Sequence, residues 1–284
     1  MYILFATLLW GTSFVVLKNT LDEVPVFFIL GIRFTIAAVI MLLISRKHLS
    51  GIDRNTVKLG IITGVMLFLA YVFQTYGLMY TTPGKNAFLT AVYCVLVPFL
   101  VWLIEKKRPR ISNYVSAGIC IAGIGLISLN GDFAMGFGDA LTLICGLFFG
   151  LHIVYLSRAV RTCSLTVIMM FQFAVCAILS WISLWATGTM VPVESLSPES
   201  WISILYLTFG CTIVSFLFQS LEQKYTPPSQ VAILLTFEAV FGTVFSAIFY
   251  GETFTLKVIA GFVLMFIAVL ISETGLGRKD RQLN

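Results

Sequence analysis

The chain has 284 residues, of which 59 % are hydrophobic and only 11 % charged, and its mean hydropathy is +0.99. A soluble domain of that length needs far more polar surface to cover its core, so water-soluble folds are excluded. The net charge of +5 is carried in short basic bursts between apolar runs, with no basic face or aromatic-interleaved patch. It reads as a set of topology signals and gives no ground for a nucleic-acid partner.

A transmembrane helix needs about 20 apolar residues to cross a hydrocarbon core of about 30 Å. Ten stretches meet that need. The first, 2–21, lacks a basic leader and a small-residue cleavage site, and is read as a retained helix rather than a signal peptide. It carries Trp10-Gly11 and, near its outer end, Lys18, placed to snorkel to the interface. Span two, 25–44, holds Arg33 about eight residues in, roughly 12 Å deep. Arg46, Lys47, Arg54 and Lys58 follow, then span three, 58–80, with Tyr71 and Gln74. Thr82-Pro83 precedes span four, 85–104, which contains Tyr93 and Cys94 and ends at Lys106, Lys107, Arg108 and Arg110. Span five, 112–130, has Gly118, Gly123 and Gly125, suited to close helix approach within the bundle or between two copies. Span six, 139–158, contains His152, whose ring could titrate near neutrality, and is followed by Arg158 and Arg161. Gln172 lies in span seven, 165–186, and Gln219 in span eight, 201–223, ahead of Lys224. Pro227-Pro228 introduces span nine, 229–250, where Glu238 lies about ten residues in, roughly 15 Å deep. Glu252, at its outer end, suits a helix start or the interface. Span ten, 256–275, is followed by a tail, 277–284, with Arg278, Lys279 and Arg281.

With ten crossings, all these basic loops fall on one side. The other side receives Lys85 and Lys257 with Asp22, Glu23, Asp132, Asp139, Glu194, Glu199 and Glu252. The positive-inside rule then puts the basic loops and both termini in the cytoplasm of a plasma or inner membrane. The six cysteines, Cys94, Cys120, Cys145, Cys163, Cys176 and Cys211, have no CxxC or His-adjacent spacing. They read as packed thiols, with no disulfide frame, metal site or cofactor indicated.

The ten spans divide into two sets of five, residues 1–130 and 138–276. Thr82-Pro83 overlays Thr226-Pro227, Ala117-Gly118 overlays Ala260-Gly261, and Leu126-Ile127-Ser128 overlays Leu270-Ile271-Ser272. Trp10-Gly11 falls on Phe149-Gly150, and Tyr71 and Gln74 fall on Phe216 and Gln219. Five is odd, so the second copy is expected to insert upside down, with a binding site near mid-membrane where the halves meet. The symmetry fails at two ionisable residues: Arg33 falls on Gln172, and Glu238 on Cys94.

Leu9-Trp10-Gly11-Thr12-Ser13-Phe14 resembles the WG-x-x-F opening of EamA-type proteins in the drug/metabolite transporter superfamily. Gly31-Ile32-Arg33-Phe34, Ala87-Phe88-Leu89-Thr90, Leu96-Val97-Pro98, Gly138-Asp139 and Gly251-Glu252 with Gly261 extend the resemblance over the whole chain. It implies a secondary transporter, mostly of the kind that exports amino acids, related metabolites or drugs. The family's Glu-Pro in span nine is Glu238-Ala239 here, so the glutamate is carried over without the helix break a proline would bring.

The expected fold is therefore an all-α membrane protein of ten helices in two inverted five-helix repeats. The expected function is movement of a small organic solute by alternating access, outward, driven by a proton or another ion gradient, by an exchanged substrate or by the solute's own gradient. Import or exchange on the same fold is the alternative; an intramembrane enzyme or a non-transporting scaffold is the rival class. The chain is expected as a monomer or homodimer in the lipid bilayer. His48 and His152 are the only histidines, no nucleophile–base pair is evident, and no catalytic residue is assigned. The candidate cavity lining is Trp10, Arg33, Tyr71, Gln74, Tyr93, His152, Gln172, Gln219 and Glu238. Glu238 is the coupling or amine-binding carboxylate and Arg33 the group for a substrate carboxylate, or else the two form a structural ion pair.

Overall fold

The computed structural model describes residues 2–128, 135–192, 194 and 196–274. Asp132, the tail 277–284 with its three basic residues, and the end of the expected first repeat lie outside them. Helices occupy all ten expected stretches: α1 (Tyr2–Thr20), α2 (Val26–Ser45), α3 (Arg54–Tyr80), α4 (Pro83–Glu105), α5 (Ile111–Ser128), α6 (Phe137–Thr162), α7 (Leu165–Thr187), α8 (Pro198–Tyr225), α9 (Pro228–Tyr250) and α10 (Leu256–Thr274). Nine of them are long and apolar enough to cross a membrane, and the apolar stretch of α10, Leu256–Ser272, is a little shorter. Leu43, Leu103, Ile121, Ile248 and Phe249 all project outward from the bundle. An apolar outer face of this kind is soluble only in lipid.

Local chemistry sets the helix ends. Pro83 and Pro228 begin α4 and α9, where a missing N–H costs nothing. Asp53 caps α3, accepting from the Thr56 N–H at 2.7 Å. The Lys18 ammonium donates to the main-chain oxygens of Leu78, Met79 and Thr81 at 2.6, 3.1 and 3.1 Å. Those carbonyls end α3 and lack helical donors, so they attract a cation.

The largest interfaces join the two halves of the chain: α3 with α6, α2 with α7, α5 with α10, and α1 with α9. Gly11 permits the last of these. A Cβ there would stand 2.5 Å from the Cβ of Phe241 and 2.9 Å from the Gly242 nitrogen. Gly123 packs within the bundle against Gly261 and Met265 of α10, whereas Gly118 faces open space.

Three helices are irregular. α4 is broken at Ala91–Val92 and α9 at Thr236, the second two residues before Glu238 and the first two before Cys94, its overlaid partner. α9 is thus interrupted at a single residue although no proline follows Glu238. The Thr236 N–H bonds to the Ile233 oxygen at 2.9 Å, and its hydroxyl donates to the same oxygen at 2.6 Å. This tightened turn does the work expected of a proline. In α8, Phe209–Val214 forms a π-helical turn, and a second one, Ser246–Tyr250, ends α9.

Candidate functional site

A narrow cleft, with a cavity volume of about 30 Å³, lies among α1, α3, α4, α6, α8 and α9. Its residues come from near the middle of these helices, with Trp10 midway along α1 and Glu238 midway along α9. Six of the nine expected residues line it: Trp10, Tyr71, Gln74, Tyr93, Gln219 and Glu238.

The wall is built from rings in mutual contact. Trp10 meets Phe216 at 5.2 Å between ring centroids, Phe216 meets Tyr71 at 6.3 Å, Tyr71 meets Phe149 at 5.5 Å, and Phe149 meets Tyr93 at 6.5 Å. Most of these contacts are edge-on, the arrangement in which aromatic quadrupoles attract. Trp10 is fixed by its indole N–H, which donates to the Cys211 oxygen at 2.7 Å. That oxygen belongs to the π-helical turn of α8, where the altered register leaves main-chain oxygens open to side-chain donors.

Polar groups interrupt this apolar wall. The Gln74 amide donates to Thr90 at 3.4 Å. The Tyr93 hydroxyl and the Gln219 Oε1, on residues each 3 % exposed, have no hydrogen-bond partner among the described residues. Glu238 is half-buried at the cleft, and the only ion pairs among the described residues are Lys85–Asp139 and Lys107–Glu105. The structural ion pair between Arg33 and Glu238 is therefore not formed.

Three expected residues do not line the cleft. Arg33, 1 % exposed, is packed behind Tyr71: its Nη2 donates to the tyrosine hydroxyl at 3.0 Å, and its Cζ lies 4.6 Å from the ring centroid. Its Nε donates to Thr212 and its Nη2 also reaches the Cys211 oxygen at 3.4 Å. Its Nε and Nη2 thus bond to α3 and α8. His152 and Gln172 bond to each other, Nε2 to Oε1 at 3.0 Å, and the imidazole stands edge-on to Phe216 without lining the cleft. The depth of a residue along its helix gave no information on which way it faced.

The cleft adds Ser13, Thr90, Phe149, Ile153, Phe216 and Leu235 to the expected set. A signal for each was present. Phe149 and Phe216 are the overlay partners of Trp10 and Tyr71. Ser13, Thr90, Ile153 and Leu235 each lie three or four positions from another lining residue on the same helix, hence on the same face.

At one end of the bundle, a polar cluster ties α3, α4, α6 and α9 together. Asp139 accepts from Thr81 at 2.7 Å and pairs with Lys85 at 3.3 Å. Glu252 accepts from Thr82, Ser246 and, at 2.9 Å, the Gly84 N–H. Gly251, at φ 70°, supplies the left-handed turn that brings this carboxylate back onto the start of α4. At the other end, Lys107, Arg108, Asn113, Gln230 and Ser272 border a wide basic cleft.

An apolar-faced helical bundle with an interior polar cleft has the form of a multi-pass membrane protein. Comparison with known proteins narrows the class. The EamA-like transporter family matches residues 1–129 and again 136–274. An Archaeoglobus fulgidus protein named an uncharacterized transporter is 33 % identical over 93 % of this chain and 82 % of its own length. Probable amino-acid metabolite efflux pumps of Salmonella typhimurium and Escherichia coli are 26 % and 25 % identical, each over 96 % of this chain and over 93 % and 94 % of their own lengths. A solved crystal structure superimposes with a TM-score of 0.70 over 96 % of both chains at 15 % identity, a likeness of fold alone. The chain belongs to the EamA-like transporter family, and it is a multi-pass membrane transporter.

Proposed function

We propose that this chain is a secondary-active carrier that exports a small organic solute by alternating access, with the interior cleft as its transport site. The observation that carries this reading is the composition of the cleft. The overlaid pairs Trp10 and Phe149, Tyr71 and Phe216, and Gln74 and Gln219 all contribute both members to one wall. A site built symmetrically from two halves is what an inverted-repeat carrier places at its centre, often beside interrupted helices. The matched breaks in α4 and α9, and the pairing of α2 with α7 and α5 with α10, support the same arrangement. In this reading α10 completes ten crossings, residues 1–130 and 138–276 form the two repeats, and both termini lie in the cytoplasm of the inner membrane.

Glu238 is the coupling group. An intramembrane carboxylate without an ion-pair partner can take a proton when the solute leaves and release it when the solute binds. The groups around it are Tyr71, Tyr93 and, behind Tyr71, the permanent charge of Arg33. The efflux pumps among its relatives make export the favoured direction; import on the same fold is the alternative. The test is flux from proteoliposomes of the purified protein loaded with a panel of amino acids and organic amines, with and without an imposed pH gradient. Flux that responds to the gradient in the wild type and not in Glu238→Gln is expected. A Glu238→Gln carrier with normal flux and unchanged pH response would remove Glu238 from coupling.

A further inference from the structure

We infer that the cleft selects an organic monocation, a primary ammonium on an apolar body, over a zwitterion or an anion. The inference rests on the cleft being the transport site and names what that site accepts.

The charge inventory is one-sided. Among the lining residues Glu238 is the only carboxylate, and there is no lysine, arginine or histidine. The nearest guanidinium, Arg33, lies behind the Tyr71 ring and outside the cleft lining, with its Nε and Nη2 bonded to Tyr71, Thr212 and the Cys211 oxygen. A ligand carboxylate entering the cleft would give up its water and find no cation, which is strongly unfavourable in a low-dielectric site.

An ammonium meets the opposite situation. It carries three N–H donors, and the cleft offers three acceptors with nothing else to bind: the Glu238 carboxylate, the Gln219 Oε1 and the Tyr93 hydroxyl oxygen. Two of these are on deeply buried residues, and a buried polar atom without a partner costs free energy that a ligand donor would recover. The rings of Trp10, Tyr71, Tyr93, Phe149 and Phe216 supply the rest, since an aromatic wall attracts a desolvated cation through its quadrupole and an apolar body through burial.

The experiment compares three probes with the same skeleton and different charge: 2-phenylethylammonium, phenylalanine and 3-phenylpropionate. Binding of each to the purified full-length protein is measured by titration calorimetry. The amine is expected to bind at least about tenfold more tightly than phenylalanine, and the acid not to saturate. Glu238→Gln is expected to weaken amine binding by about 30-fold or more, and Phe149→Leu by roughly 3- to 30-fold. Glu238→Asp, which keeps the charge, is expected to retain most of the affinity and guards against a Gln variant that fails to fold. The inference is overturned if phenylalanine or 3-phenylpropionate binds as tightly as the amine, if the amine does not bind saturably, or if a folded Glu238→Gln protein binds it unchanged. Phenylalanine flux without amine binding would remove this inference and leave the carrier standing. Amine binding without flux of any solute would do the reverse.

Discussion

Arg33 carries a permanent charge in the interior, and no ion pair neutralises it among the described residues. Its stabilisation comes from hydrogen bonds to Thr212, Tyr71 and the Cys211 oxygen and from the faces of Tyr71 and Phe34. This is work for a planar fork with several donors, and lysine, a point charge on a flexible stem, cannot repeat it. Arg33→Lys is therefore expected to destabilise the protein by about 1–3 kcal/mol, read from reversible unfolding in mixed micelles; wild-type stability in that variant would contradict this account of the residue. Two carboxylates outside the membrane-spanning helices have their pKa values held below the usual range. For Glu23 the main cause is hydrogen bonds from the Ser197 and Ser200 hydroxyls, both at 2.6 Å; for Asp53 it is the Thr56 hydroxyl and N–H. A depressed folded pKa stabilises the fold above the unfolded value and loses that contribution as pH falls through the folded value. The protection of the Thr56 and Ser197 amides against hydrogen exchange, taken relative to the intrinsic rate at each pH, is accordingly expected to fall below about pH 4 in the wild type. The same step should be missing in Asp53→Asn at Thr56 and in Glu23→Gln at Ser197. The candidate site was partly legible at this scale: residue type and the overlay pointed to Trp10, Tyr71, Gln74, Tyr93, Gln219 and Glu238. Orientation was not legible. What turns Arg33 away from the cleft is Thr212 and the Cys211 oxygen on α8, far away in the chain, and no local pattern in α2 announces them.

The helices themselves follow from apolar length, and their ends from prolines, Asp53 and the basic loops, which is why the sequence located all ten. Their interruptions were less legible. The break at Thr236 comes from a threonine hydroxyl and a tightened turn, and the π-helical turn of α8 is held by side-chain bonds of Thr212 and Ser215 to carbonyls five residues back. Threonine and serine take such bonds in many unbroken helices as well, so sequence alone does not separate the two cases. The contact of α1 with α9 gives this scale its prediction. Gly11→Ala puts a methyl group against the Phe241 Cβ and the Gly242 backbone, and the backbone cannot move aside without displacing Glu238. A loss of about 1–3 kcal/mol is expected from overpacking, together with weakened solute binding. Unfolding and binding measured on the same preparation would show both, whereas Gly118→Ala, which faces open space, should change neither.

Considered as a whole, the molecule has a cleft at its centre and a different closure at each end. The cluster of Lys85, Asp139, Thr82 and Glu252 binds α4 to α6 and α9 at one end, and the basic cleft beside Lys107 and Arg108 widens the other. Alternating access requires that the first set of contacts break in one state and hold in another, so that the two states differ by only a few kcal/mol. Lys85→Met removes the cation from a mostly buried ion pair, leaving the Asp139 carboxylate without it, and is expected to shift that balance by about tenfold or more. The measurement that tests the carrier most directly is access to the cleft from each side of a sealed membrane. Ser13→Cys, introduced into a background without native cysteines, places a thiol on the cleft wall for a membrane-impermeant maleimide. The account predicts that it reacts with reagent supplied from either face, and that 2-phenylethylammonium slows both reactions. Reaction from one face only, under every ion gradient and with or without the amine, would contradict a site that opens alternately to the two sides.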